Sequence, residues 1–301
     1  MLQMKLSFVE SFGGQETAFF SSGPDTEDVI LFIHGYPDDH ESWAKQIEYF
    51  SKFMSVVAID LPGVGKSPPP QDRSAYHIDN ILPRISAVIR KIGSNKKIHL
   101  VAHDWGAIIS WVFASRPQYQ SLIKSYTAIS GPHPAMAREN MKKKLLSFDP
   151  NRLEDFMRQA TASYYIFMFQ IPFIPELVWQ IGGTSLWHSV MKSGGLPEYD
   201  SSYDYTKEEV LKRTIHPINL YRELLQGKSI ETPSNIPLPV QVIIPRYDFA
   251  ITPEVYDNIS TYVPNLTVHS IASNHWAHRE RPDTINRYLH DFVKQNSERI
   301  K

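Results

Sequence analysis

Apolar and polar positions alternate at the start of the chain. KLSFVES (residues 5–11) and ETAFFSSG (residues 16–23) carry the two-residue period of strands with one wet face and predict an antiparallel hairpin. DVILFIHG (residues 28–35) is instead a solid apolar run, as a central parallel strand covered on both faces requires. A helix is expected from about Asp39 to Phe50, then a second buried strand in MSVVAID (residues 54–60). Ile78, Ile81, Leu82, Ile85, Ile89 and Ile92 recur at helical spacing, with Gly93 placed to end the helix. KIHLVAHD (residues 97–104) is the third buried strand and leads into the helix-like AIISWVFAS; SYTAIS (residues 125–130) is a short fourth.

This alternation predicts an α/β fold with a mostly parallel sheet covered by helices on both faces. From 132 to 228 the pattern changes. The chain becomes helix-like, rich in aromatics, Met and Pro, without a buried-strand signal. Strands resume at PVQVIIP (residues 239–245) and LTVHSI (residues 266–271), and a helix follows Pro282. The expected organisation is a core of residues 1–131 and 229–301, with residues 132–228 inserted as a helical unit. No repeat or low-complexity linker interrupts it, and PPPQ after Ser67 reads as a rigid surface loop.

Composition narrows the function. At 301 residues, 42% apolar and 21% charged, the chain suits a soluble globular protein. A net charge of −1 gives no reason to expect nucleic acid or an acidic membrane as partner. With no cysteine there is no disulfide, thiol nucleophile or Cys-based metal site. The N-terminus lacks a signal-peptide pattern and no window suits a transmembrane helix, so the expected location is the cytoplasm.

In Ala102-His103-Asp104-Trp105-Gly106-Ala107, small residues surround a carboxylate where a strand runs into a helix. A sharp strand–turn–helix elbow that exposes a nucleophile needs such small neighbours. A plain helix N-cap would also use Asp, so this stretch alone leaves both readings open. His34-Gly35-Tyr36-Pro37 follows the first parallel strand. The backbone N–H groups of Tyr36 and Trp105 are candidates for an oxyanion hole, although Gly and Pro are equally common in ordinary turns. Asp248 ends a late strand and His275 follows the last one, which completes the chain order nucleophile, acid, histidine. Asp248 would fix the His275 tautomer and stabilise the imidazolium. His278, a turn further on, reads as a surface residue. Gly63-Val64-Gly65-Lys66-Ser67 mimics the end of a phosphate-binding loop, but Asp60 stands where that loop needs glycine and prolines follow instead of a helix.

Aspartate in the nucleophile position changes the chemistry. Attack on an ester carbonyl would give a mixed anhydride, whereas attack on a saturated electrophilic carbon gives an alkyl ester on the enzyme. Water activated by His275 then cleaves that ester at the Asp104 carbonyl. Epoxides and alkyl halides both fit. An epoxide oxygen needs a proton donor, and tyrosine hydroxyls suit that task.

HGYP (residues 34–37), HDWGA (103–107), SYYIFMFQIPFIPE (163–176), NLYRE (219–223), Tyr247-Asp248 and NHWAHRERP (274–282) together resemble the α/β-hydrolase epoxide hydrolases over essentially the whole chain. The resemblance implies the α/β-hydrolase fold with a helical lid, no metal or organic cofactor, and a small apolar organic substrate. It implies Tyr165 and Tyr221 as the lid's proton donors, with Tyr164 adjacent to the first. Most of Tyr164, Phe167, Met168, Phe169, Phe173 and Trp179 are expected to pack in the core. The chain departs from the family at Ala102 and Asn274, where glycine is usual. Asn at 274 is expected to tolerate a left-handed turn. Haloalkane dehalogenation by the same aspartate and a catalytically silent binding protein are the alternatives. A homodimer is the partner state left open.

Overall fold

The computed structural model describes residues 4–11 and 14–297. Eight strands form one sheet in the order β1-β2-β4-β3-β5-β6-β7-β8. They are β1 (Lys5–Ser11), β2 (Gln15–Ser22), β3 (Asp28–Ile33), β4 (Ser55–Ile59), β5 (Lys97–His103), β6 (Ser125–Ile129), β7 (Val240–Pro245) and β8 (Leu266–Ile271). β1 pairs antiparallel with β2, and β2 with β4; every later pairing is parallel. The expected hairpin is present, but Leu6 and Phe8 of β1 point outward at the sheet edge. β3 and β5 are in the middle of the sheet, and their side chains are buried on both faces beyond the first residue.

Among the described residues twelve α-helices accompany the strands: α1 (Ala44–Phe50), α2 (Ile78–Ile92), α3 (Trp105–Ser115), α4 (Pro117–Gln120), α5 (Pro134–Leu145), α6 (Pro150–Ala162), α7 (Tyr164–Met168), α8 (Ile174–Ser193), α9 (Lys207–Thr214), α10 (Ile218–Gln226), α11 (Ala277–Glu280) and α12 (Pro282–Ser297). The helix expected from Asp39 starts as a tight 3-10 turn, His40–Trp43, capped by the Asp39 carboxylate, and then widens into α1. In α2 the isoleucine stripe buries Ile78, Ile81, Leu82, Ile85 and Ile89 against the sheet. Each fully buried aliphatic side chain contributes roughly 1.5–3 kcal/mol. Gly93 ends the helix at φ 141°.

Helices α5 to α10 follow one another between β6 and β7, with no strand among these residues. The GVGKS stretch serves a turn. The Lys66 N–H donates to the buried Asp60 carboxylate (2.7 Å), and Ser67 Oγ donates to the Asp60 carbonyl (2.7 Å). A Cβ on Gly65 would collide with that same carboxylate. No helix among the described residues is long and apolar enough to cross a membrane.

Candidate active site

The C-terminal ends of β3, β5, β7 and β8 converge on one point. β5 runs into α3 through Asp104, whose backbone sits at φ 49°, a left-handed conformation rare for a side-chain-bearing residue. The small neighbours explain how the chain tolerates this. A Cβ on Gly106 would strike the carbonyl oxygens of Ile33 and His34, and one on Gly131 would strike the Asp104 carbonyl and Ala107. Gly131, at the end of β6, has no counterpart in the motif read from the sequence. It is needed because the elbow folds back against β6. The Asp104 side chain makes no N-cap hydrogen bond, which removes the capping alternative.

The Asp104 carboxylate instead points to the loop after β3. The Tyr36 N–H donates to its Oδ1 at 2.7 Å, and the Trp105 N–H, next in the chain, adds a favourable dipole that helps hold the charge. Gly35 allows this approach, since a Cβ there would overlap the carboxylate. His34 braces the loop from behind. Its Nε2 accepts from the Leu61 N–H (2.9 Å), so its Nδ1–H donates to the Gly35 carbonyl (2.8 Å).

His275 faces Asp104 with Nε2 3.6 Å from Oδ2, and its Nδ1 donates to Asp248 at 2.9 Å. Asp248 is fixed in turn by the N–H groups of Ala250 and Ile251. All three side chains are buried. Burial pushes the Asp104 carboxyl up to about 6, opposed by His275 and the two backbone N–H groups. Burial works against the His275 charge, but Asp248 and then Asp104 outweigh it and raise the imidazole to about 9. The resting site at neutral pH is therefore a carboxylate beside an imidazolium.

Across a cavity of about 390 Å³ from Asp104 stand Tyr165 and Tyr221. Their rings meet edge to face at 5.7 Å, and Tyr221 also packs edge to face on Trp105 and Tyr36. Burial holds both phenols well above their ordinary range, so both keep their protons. Tyr164, the neighbour that the sequence left open, turns outward and is 68% exposed, although it reaches the rim of the same cavity. Phe169, Trp179 and Phe249 supply the apolar wall.

Several expectations need correction. His278 is not a surface residue: it is fully buried, its ring packed on Trp43 and His103, because α11 turns inward beneath the site. Asn274 does not adopt a left-handed backbone. Its N–H is held by Glu280 (2.8 Å), and His275 reaches Asp248 without that turn. Of the aromatics expected in the core, Trp179 is buried and Phe169 half-buried, whereas Tyr164, Phe167, Met168 and Phe173 are exposed.

Sequence reasoning also missed a buried ionic staple. Asp38, just past HGYP, accepts from Trp276 Nε1 (2.7 Å) and Arg279 Nη1 (3.0 Å). Arg279 also donates to Asp200 of the helical insertion. The loop after β3, the loop bearing His275 and the insertion are thus fastened at one place. The signal was an acid beside one motif and an arginine inside the other, Asp38 and Arg279.

A model of the alpha/beta hydrolase fold matches residues 28–282. The chain belongs to this family. Among curated relatives it is similar to the probable oxidoreductase EphD of Mycobacterium tuberculosis, at 25% identity over 97% of this chain and 50% of that protein. The chain thus spans about half the length of EphD. Epoxide hydrolase 2 of Caenorhabditis elegans is 27% identical over 93% of this chain and 78% of the relative. Among solved structures, the Bacillus megaterium epoxide hydrolase in complex with an inhibitor superposes with a TM-score of 0.78 at 26% identity, covering 96% of this chain and 100% of that one.

Proposed function

We propose that the protein hydrolyses epoxides to vicinal diols through an ester formed on Asp104. The observation that carries this reading is a carboxylate held by the Tyr36 N–H beside His275, with two protonated tyrosines lining the same apolar cavity. The likeness to epoxide hydrolases from an animal and a bacterium supports it. The division into a core (1–131 and 229–301) and a lid (132–228) belongs to the same proposal.

In the first step an Asp104 oxygen attacks a ring carbon as the carbon–oxygen bond on its far side breaks. Tyr165 and Tyr221 hold the departing oxygen, and one of them protonates it. The ester has lost the Asp104 charge, so one of the two carboxylates that kept His275 protonated is gone. The imidazolium proton moves to the tyrosinate, and neutral His275 is left beside the ester. In the second step His275, oriented by Asp248, takes a proton from water, and hydroxide attacks Cγ of Asp104. The Tyr36 and Trp105 N–H groups, already aimed at that carboxyl, stabilise the tetrahedral oxyanion. Collapse frees the diol, returns Asp104 to its carboxylate and leaves His275 charged. Each element of this scheme is supplied by the chain's own side chains and backbone.

Rapid quenching of His275→Gln with an epoxide tests the reading. The peptide containing Asp104 is expected to gain the full mass of the substrate, because alkylation proceeds and hydrolysis stalls. Substrate mass on another peptide, or none while diol still forms, overturns the proposal. Trp105, beside the nucleophile, would suit a halide as well as an epoxide; the two phenols lining the cavity, which can protonate a departing oxygen, favour the epoxide over the dehalogenase reading.

A further inference from the structure

The helical insertion carries an apolar surface that its own fold leaves uncovered. On α8, Ile174, Leu177, Val178 and Ile181 recur with the spacing of a core-facing stripe, yet all four are exposed, Ile181 at 77%. Tyr164, Phe167 and Met168 of α7, with Ile171 just beyond, repeat the same spacing and are also exposed. Leu153 and Met157 extend it along α6, and Leu145, Leu146 and Phe148 extend it at the α5–α6 turn, where Phe148 is fully exposed. α5 packs on α6, and α6 leads into α7. Arg222 joins the end of α7 to α8, donating to the Phe169 carbonyl (2.9 Å) and to Glu176 (2.6 Å). Soluble monomers rarely show so much contiguous apolar surface without a partner.

We propose that this face docks onto a phospholipid surface bearing anionic headgroups, so that the cavity opens toward the bilayer. Two observations select a bilayer over a second copy of the chain. Tyr164 belongs both to the exposed stripe and to the cavity rim, so a protein seated on it would close the entrance, while a bilayer would present apolar molecules to it. Charge is the other. Lys142 and Lys143 stand exposed beside Leu145, Leu146 and Phe148 and have no ion-pair partner among the described residues. The nearby acids are engaged within the protein: Asp155 by Lys144, Glu176 by Arg222, Asp149 by Arg152, Glu154 by Arg158, and Glu139 by the Thr232 and Tyr262 hydroxyls. The unpaired charge on this face is therefore positive, as an interfacial helix with a basic flank requires. That the bilayer delivers an epoxide rests on the function proposed above; the docking itself does not.

Vesicle flotation of the full chain tests this. Wild type is expected to float with phosphatidylcholine–phosphatidylserine vesicles and at least tenfold less with phosphatidylcholine alone. Lys142→Glu with Lys143→Glu should abolish that preference. The triple variant Phe148→Ser, Phe167→Ser, Ile181→Ser should float with neither, while keeping the wild-type circular dichroism spectrum and a cooperative thermal unfolding transition as its check of folding. Wild type left in the dense fraction overturns the proposal. So does a wild-type dimer that ignores vesicles and is split by the triple substitution, because the occupant would then be a second copy. Flotation needs no turnover, so failure of the epoxide chemistry leaves this result readable.

Discussion

In the proposed cycle Asp104 is two chemical species in turn, and its neighbours suit both. As a carboxylate it is held at Oδ1 by the Tyr36 N–H; once it is an ester, the backbone donors beside it serve the oxyanion in the same proposed cycle. Asp104→Asn should lower epoxide turnover by at least about 10³-fold without loss of fold, measured by diol formation against thermal unfolding. Attack needs the ionised form, and burial raises this carboxyl to about 6. The single-turnover alkylation rate should therefore fall as pH drops through about 6, about two units above the range of an ordinary aspartate. A rate constant flat down to pH 4 would contradict the assignment. Removing one phenol, Tyr221→Phe, should cost on the order of 10²-fold in alkylation, and Tyr165→Phe a similar factor. Asp104 and His275 were legible because motif and chain order marked them. The state of His278 was not, since no local pattern reveals that a short helix turns inward.

At the scale of elements, the elbow depends on glycines that follow different strands, Gly106 after β5 and Gly131 after β6. Gly106 was visible beside the nucleophile, whereas Gly131 lies after β6 and only the parallel pairing of β5 and β6 brings it under Asp104. Gly131→Ala should destabilise the fold by about 2–4 kcal/mol in urea titration and slow turnover as Asp104 is displaced, because the added methyl meets backbone. The strands and α2 were readable from period alone, since the buried face of each is chosen by the sheet it joins. The helices of the insertion were readable as helices, but the apolar character of Tyr164, Phe167, Met168 and Phe173 suggested core packing that the structure does not give them. A stripe with core spacing states that a face must be covered; it does not state by what, and on α7 and α8 no cover comes from the described residues.

At the scale of the whole molecule, Arg279 is the point where the sheet and the helical insertion meet the chemistry. It is buried and paired with Asp38 and Asp200. Removing one partner of a buried ion pair strands the other charges. Arg279→Met should therefore cost about 3–5 kcal/mol in denaturant titration and also lower turnover, because Trp276 follows His275 and shares Asp38 with it. Full stability in that variant would show that the staple is dispensable. This coupling could not be read from the sequence, because its three members lie far apart and belong to no single pattern. The central claim is covalent, and a single turnover in ¹⁸O-water with enzyme in excess over epoxide tests it most directly. The account predicts that the heavy oxygen enters the Asp104 carboxylate and is absent from the first diol released; label delivered straight into that diol would contradict it.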